Sequence, residues 1–182
     1  MAPLHRERGH SCLWRGARFF APPSSYIYGM PNLSSAPPFL TPEDTSAAAA
    51  ITAIGDELEV FDDWMDRYQF IIELGRKLPP FPSAWQDDAH RVPGCQSQVW
   101  MEAELRGGAL YFAGASDAAI VSGLVALLLR VYSGRTPAEI LKTDPVFLRD
   151  LGLLEALSAN RGNGIASMAK RIRDAAQFQT LV

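Results

Sequence analysis

The segment that most constrains the fold lies in the middle of the chain, where residues 99–106 alternate between apolar and polar side chains. A period of two is the signature of a β-strand with one buried face. Gly107 and Gly108 follow, and both tolerate the positive φ angles of a two-residue hairpin turn. The apolar positions are then in register if Arg106 pairs with Ala109, Leu105 with Leu110, and Ala103 with Phe112.

Helical patterns flank this hairpin on both sides. Three stretches carry the apolar residues of a buried helix. They are Phe61, Trp64, Met65, Tyr68, Ile71 and Ile72; the nearly all-apolar segment from Ser116 or Asp117 to Gly134; and Ile165, Met168, Ala169, Ile172 and Ala176 after a loop at Asn160–Gly164. The order helix, strands, helices predicts an α+β fold, in which a small antiparallel sheet, a hairpin plus a possible third strand, packs against several α-helices.

Sequence signals also mark where other helices begin. Thr41 precedes Pro42 and two acidic residues, which predicts an N-cap at Thr41. The same logic predicts an N-cap at Thr136, and a short helix after Asp144.

Charge and hydropathy exclude two classes of partner. The first 40 residues hold four basic residues and one acidic residue, so the remainder, with 13 basic and 19 acidic residues, lacks the clustered cations that bind nucleic acid. The longest apolar run, residues 118–129, is shorter than the roughly 20 residues that span a bilayer. We therefore expect neither nucleic-acid nor membrane binding.

Residues 1–40 have no apolar period and are rich in proline, serine and arginine. We expect a disordered or poorly ordered N-terminal extension followed by one domain over residues 41–182. A transit peptide, a start codon assigned upstream of Met30, and a genuine tail all remain open for this extension.

Cys95 is the one cysteine of the predicted domain, and it follows Gly94 in a loop. Neither Cys95 nor Cys12 belongs to a CxxC pair, which excludes a disulfide framework and predicts a reducing, cytoplasmic location. A metal site needs about three or four cysteine or histidine ligands, so we expect none. Cys95 is either a buried structural residue or a nucleophilic thiol, whose charged form His90 and Arg91 would favour.

Four blocks resemble the SufE family in order and spacing. They are "RYQFIIELGRKLPP" (residues 67–80), "VPGCQSQVW" (92–100), "GASDAAIVSGLVALLLRVYSGRTPAEIL" (114–141) and "NRGNGIASMAKRIR" (160–173). The resemblance covers residues 58–177 and implies a fold similar to that of IscU-type scaffold proteins.

The resemblance implies that the chain is an accessory protein rather than an enzyme. Cys95 would accept persulfide sulfur from a pyridoxal-phosphate-dependent cysteine desulfurase of the SufS or CsdA type, stimulate it, and pass the sulfur toward an iron–sulfur scaffold. The cofactor belongs to the desulfurase, so this chain would carry none, as a monomer or weak homodimer. A CsdE-like carrier of a second desulfurase system, a non-catalytic allosteric module and a redox-sensing thiol protein are the alternatives.

The resemblance also implies a set of residues around Cys95. Gly94, Gln96 and Ser97 would shape the loop, while Asp117 and Arg161 would lie beside it. Asp117 is alternatively a helix cap, and Arg161 a solvated residue of a capping loop. Trp100 would face either the partner or the N-terminal helices.

Overall fold

The computed structural model describes residues 37–153 and 159–181, and it confirms the α+β class. Its helices are α1 (Ala47–Glu59), α2 (Trp64–Arg76), α3 (Ala119–Tyr132), α4 (Pro137–Lys142), α5 (Phe147–Asp150) and α6 (Ala159–Thr180). A 3₁₀ turn covers Ser83–Trp85, and the strands are β1 (Val99–Arg106) and β2 (Ala109–Ser116). No helix within the two described ranges has the length and apolar character needed to cross a bilayer.

The hairpin has the register that the sequence predicts. Arg106 pairs with Ala109 across the Gly-Gly turn, and the antiparallel ladder runs back to Val99 opposite Ser116. The predicted possible third strand is absent from the described residues, where the hairpin is extended only by two isolated bridges, Arg91 with Trp100 and Leu110 with Arg135. The apolar face is buried at Val99 and Met101, whereas Leu105 is 46% exposed even though Leu110, its cross-strand partner, is buried.

Helix α3 is the centre of the core, as its all-round apolar sequence predicts. Eleven of its residues are buried, and it packs against α1, α2, α6 and strand β2. Helix α2 comes closest to it: a Cβ added at Gly123 would lie 2.1 Å from the carbonyl oxygen of Ile71. Two backbones meet here with no side chain between them, which only glycine allows.

The second face of the hairpin is covered by chain segments rather than by helices. The Arg106 guanidinium lies 4.8 Å from the ring centroid of Phe39 and 5.5 Å from that of Tyr111. Trp85 packs against Phe39, and His90 stacks on Trp85 at 5.8 Å. Phe39, before Thr41, is thus already packed, while residues 1–36 of the predicted extension lie outside the described part of the chain.

The predicted N-cap at Thr41 is wrong. Helix α1 starts at Ala47, and the side chain of Ser46 accepts the hydrogen bond from the Ala49 N–H. Glu139 reaches across from α4 and accepts from the Ala47 N–H at 2.8 Å. These contacts satisfy two of the orphan donors of the first turn, one of them through a carboxylate distant in sequence.

Other predicted helix boundaries agree better with the structure. Thr136 caps α4, with its hydroxyl oxygen accepting from the Glu139 N–H. The predicted helix at Phe61 is present as α2, capped by Asp63. Its predicted apolar stripe is wrong at Met65, which is 62% exposed, because Met65 lies in the first turn, where the described residues provide no apolar cover.

The last helix begins earlier than the sequence indicates. Residues 160–164, predicted to be a loop, are already helical because α6 starts at Ala159. Asparagine and glycine are poor helix formers, so packing rather than local propensity sets this boundary. The predicted apolar stripe is confirmed, since all its members are buried: Ile165, Met168, Ala169, Ile172 and Ala176.

Candidate functional site

Cys95 lies in a six-residue loop, residues 93–98, hereafter the Cys95 loop. It is closed at its base by a hydrogen bond of 2.8 Å from the Val92 N–H to the Val99 carbonyl. Val92 is 2% exposed and fixes that base in the core. The loop therefore has one rigid end, from which the cysteine projects.

Gly94 produces the bend that places Cys95. Its φ angle of +84° confirms the tight turn that the Pro-Gly pair predicts. A Cβ at this position would also lie 2.9 Å from the Ser167 hydroxyl oxygen on α6. The bend thus lets the backbone pass close to the last helix.

The other end of the loop is fastened at Gln98. The Gln98 N–H donates to Asp117 Oδ1 at 3.0 Å, and the Gln98 carbonyl accepts from the Ser116 hydroxyl at 2.8 Å and from the Asp117 N–H at 3.2 Å. The prediction that Asp117 caps α3 is wrong, because the N-cap is Ala118 and no side chain caps it. Asp117 anchors the Cys95 loop instead.

The thiol itself is partly buried between the loop and α6. Its sulfur lies 3.5 Å from the carbonyl oxygen of Gly164, to which it can donate. Beside it is a small cavity of about 20 Å³. The cavity lining consists of Cys95, Gln96, Ser97, Val121, Leu124, Gly164, Ile165 and Met168. Burial raises the pKa of the Cys95 thiol, because this surrounding disfavours a thiolate.

His90 and Arg91, the cations predicted to favour the thiolate, have carboxylate partners. The two ring nitrogens of His90 lie 2.6 Å from Asp87 Oδ1 and 3.2 Å from Glu102 Oε2. Arg91 lies 4.0 Å from Asp88. Both side chains therefore have partners other than the Cys95 sulfur.

The remaining predicted site residues lie in three different elements: the Cys95 loop, strand β1 and helix α6. Gln96 is exposed and Ser97 half-buried within the loop, and both line the small cavity. Trp100 is half-buried on β1, in the strand position between buried Val99 and Met101. Arg161 lies near the start of α6, and its side chain is outside the described residues.

A larger cavity of about 390 Å³ lies near the opposite end of α3, away from the thiol. Its lining includes Phe70, Leu127 and Arg130. The Arg130 guanidinium donates to both oxygens of Glu57 and to Asp44 at 2.8 to 2.9 Å, so its charge is already neutralised. The candidate nucleophile, Cys95, therefore lies at the smaller cavity and not at this one.

The described ranges contain no set of metal ligands. Within residues 37–153 and 159–181, no three histidine, cysteine, aspartate or glutamate side chains group as metal ligands would. The structural elements that do meet are one thiol, an anchored loop and an apolar cavity.

Comparison with known proteins identifies the family of this chain. Residues 52–176 match the family described as SufE, the Fe-S metabolism associated domain. The chain belongs to the SufE family. An uncharacterized SufE-like protein of Rhizobium meliloti is 41% identical over 133 residues, which cover 70% of this chain and 95% of that protein. One of Rhizobium etli is 42% identical over 136 residues, which cover 72% and 92%.

The fold of this SufE-family protein also matches a solved structure. The solution structure of a hypothetical protein from Thermus thermophilus aligns with a TM-score of 0.62 at 22% identity, covering 73% of this chain and 97% of that one. At this identity the likeness concerns the fold. Family membership supports a role in iron–sulfur metabolism.

Sequence reasoning did not single out the α6 residues that face the Cys95 loop. Ser167 meets Gly94, and Gly164 meets Cys95. Gly164 belonged to a predicted loop, whereas Ser167 lay between the positions of the apolar stripe. The spacing of three residues on one helix face is the signal that places both against the same segment.

Proposed function

We propose that this SufE-family protein is a sulfur acceptor that acts through Cys95. It takes the terminal sulfur of a cysteine persulfide formed on a pyridoxal-phosphate-dependent cysteine desulfurase, and it carries that sulfur toward iron–sulfur cluster assembly. The observation that supports this best is a single thiol held beside an apolar cavity by a loop anchored at both ends.

The transfer is chemically a thiol–disulfide exchange. The Cys95 thiolate attacks the terminal sulfur of the donor persulfide, a new sulfur–sulfur bond forms, and the bond to the donor cysteine breaks. The donor leaves as a thiolate and Cys95 becomes the persulfide. No net oxidation takes place, so one cysteine is sufficient.

Two features of the loop fit a carrier. The apolar walls at Val121, Leu124 and Met168 keep the sulfur away from water when the loop is closed. Burial also raises the pKa of Cys95, which keeps the resting thiol protonated and unreactive. To reach a donor the loop opens at the Gln98 anchor, and exposure restores the thiolate.

The proposal assigns the pyridoxal phosphate to the partner and no cofactor to this chain. It describes an accessory protein that raises the turnover of a desulfurase of the SufS or CsdA type and delivers sulfur to a downstream scaffold. It places the protein in the cytoplasm, where reducing conditions keep a lone thiol free, as a monomer or weak homodimer.

The decisive test combines mass measurement with desulfurase turnover. After incubation with desulfurase and cysteine, intact mass should rise by one sulfur atom, about 32 Da, and a reductant should reverse the gain. Cys95→Ser should lose both the mass gain and the stimulation. Cys12→Ser, the matched control, should keep both.

Two outcomes would redirect the proposal. Stimulation that survives alkylation of Cys95 would identify an allosteric binding module instead of a carrier. A mass gain with one desulfurase and none with another would assign the protein to that system, and this pairing separates a main-pathway carrier from a CsdE-like one.

A further inference from the structure

The backbone conformation at position 164 does not require a glycine. It lies within α6, and it is not among the glycines that adopt a positive φ. Glycine is unfavourable in a helix interior relative to alanine, because its backbone loses more freedom. A reason for glycine here must therefore come from what faces it.

The residue that faces Gly164 is Cys95. A Cβ added to Gly164 would lie 3.5 Å from the Cys95 sulfur, 3.7 Å from its Cα and 3.8 Å from its Cβ. These distances are ordinary van der Waals contacts, so an alanine side chain fits beside the unmodified thiol. The free thiol does not explain the glycine either.

The space beside the thiol is large enough for one additional atom. The cavity bordered by Cys95 and Gly164 measures about 20 Å³, and a volume of roughly 10–15 Å³ already accommodates one water-sized probe. A methyl group on residue 164 is about as large as a sulfur atom and borders the same space. The methyl group and the outer sulfur of a persulfide would therefore compete for this space.

We propose that Gly164 is a positioning residue that reserves the space for the outer sulfur of a Cys95 persulfide. The inference rests on the proposed sulfur-acceptor function. In a persulfide the outer atom lies about 2.05 Å beyond the cysteine sulfur, so the modified side chain needs room that the thiol does not. The absent side chain at position 164 supplies it, and the closed loop can then bury its cargo.

Gly164→Ala should therefore distinguish the two states of Cys95. With the thiol, the loop closes as before. With the persulfide, the added methyl group overpacks the cavity, and the loop shifts toward its open form. The persulfide should then be more accessible to small reductants, although no residue that reacts has been changed.

The experiment uses the full chain carrying Cys12→Ser, so that Cys95 is the only thiol. Sodium disulfide loads the persulfide without a partner protein: the Cys95 thiolate attacks one sulfur of the disulfide anion, the S–S bond of that anion breaks, and sulfide leaves. Intact mass then follows the loss of the persulfide in dithiothreitol. The dithiol reduces the persulfide to thiol and hydrogen sulfide while it is itself oxidised to its cyclic disulfide. Gly164→Ala should shorten the persulfide lifetime about tenfold, which corresponds to roughly 1.4 kcal/mol of overpacking in the closed state.

Two measurements make this result specific. Alkylation of the unmodified thiol by iodoacetamide should proceed at the same rate in Gly164→Ala as in its parent. Gly55→Ala is the matched control, because Gly55 lies in α1 and its added Cβ would make only an ordinary contact, 3.4 Å from Leu151. It should change neither rate.

Equal persulfide lifetimes in Gly164→Ala and its parent would overturn the inference. So would a tenfold faster alkylation of the thiol, because the residue would then pack the loop in both states. The larger Gly164→Ser provides a second test and should shorten the lifetime at least as much. Failure of a desulfurase to load the parent protein, with the lifetimes still different, would count against the proposed donor and leave the role of Gly164 intact.

Discussion

Two glycines in this molecule, Gly123 and Gly164, each lie close to another segment of the chain, but the free space around them differs. Where α2 crosses α3, a Cβ on Gly123 would lie 2.1 Å from a backbone carbonyl oxygen. Where the Cys95 loop meets α6, a Cβ on Gly164 would lie 3.5 Å from the cysteine sulfur. The first contact has no space to give, whereas the second borders a cavity. The fold is rigid at the first position and leaves room at the second.

The largest expected effect lies at the helix crossing. Gly123→Ala forces the Cβ against Ile71, whose carbonyl oxygen belongs to the backbone of α2 and cannot rotate away. We expect the free energy of unfolding to fall by about 3 kcal/mol, the upper end for an overpacked core. Urea denaturation followed by circular dichroism measures it.

Gly55→Ala is again the control, since it makes the same chemical change in a helix without the close backbone contact. It should be neutral or slightly stabilising. If Gly123→Ala unfolds at the same urea concentration as Gly55→Ala, the two helices have slack at their crossing and the contrast with Gly164 disappears.

An intermediate effect is expected at the loop anchor. Asp117→Ala removes the acceptor for the Gln98 N–H while leaving the core untouched. A hydrogen bond of this kind contributes about 1 kcal/mol, so the open fraction of the loop, and with it the alkylation rate of Cys95, should rise by roughly fivefold. Iodoacetamide labelling at fixed pH gives the rate.

Asp117→Asn keeps an oxygen acceptor at the same place and should retain most of the protection. A labelling rate that stays constant in Asp117→Ala would mean that the bonds remaining to the Gln98 carbonyl, from the Ser116 hydroxyl and the backbone N–H of residue 117, hold the loop without the carboxylate.

The smallest expected effect is the pH dependence of Cys95. Burial raises the pKa of its thiol, so the closed loop favours the protonated form. That contribution is fully present at low pH and is lost as the pH rises through the pKa of the folded state. The alkylation rate in the folded protein should therefore rise at higher pH than in the urea-unfolded chain. Coincident profiles would show that the thiol is already solvated.

The sequence predicts local features of this fold well, because short-range rules determine them. The alternation at residues 99–106 and the Gly-Gly turn give the hairpin register, and the stripe from Ile165 to Ala176 gives the buried face of α6. The bend at Gly94 follows from the Pro-Gly pair in the same way.

The features that the sequence does not predict depend on contacts between residues far apart in the chain. Asp117 has the local signature of a helix cap, yet its carboxylate binds Gln98, 19 residues earlier. Gly164 has the signature of a loop, yet it is helical and lies against Cys95, 69 residues away. Local propensity contains no information about either partner. The family resemblance implies that Asp117 lies beside the loop, but its bond to Gln98 and the cavity emerge only from the packed structure.

The bond between Glu139 and the first turn of α1 has a consequence for biosynthesis. The Ala47 N–H donates to Glu139, a residue 92 positions downstream. Asp44 and Glu57 likewise form ion pairs with Arg130, far along the chain. A ribosome exposes the amino-terminal helix long before these partners emerge. The Ala47 N–H of the nascent helix therefore lacks this acceptor until α4 has been synthesised.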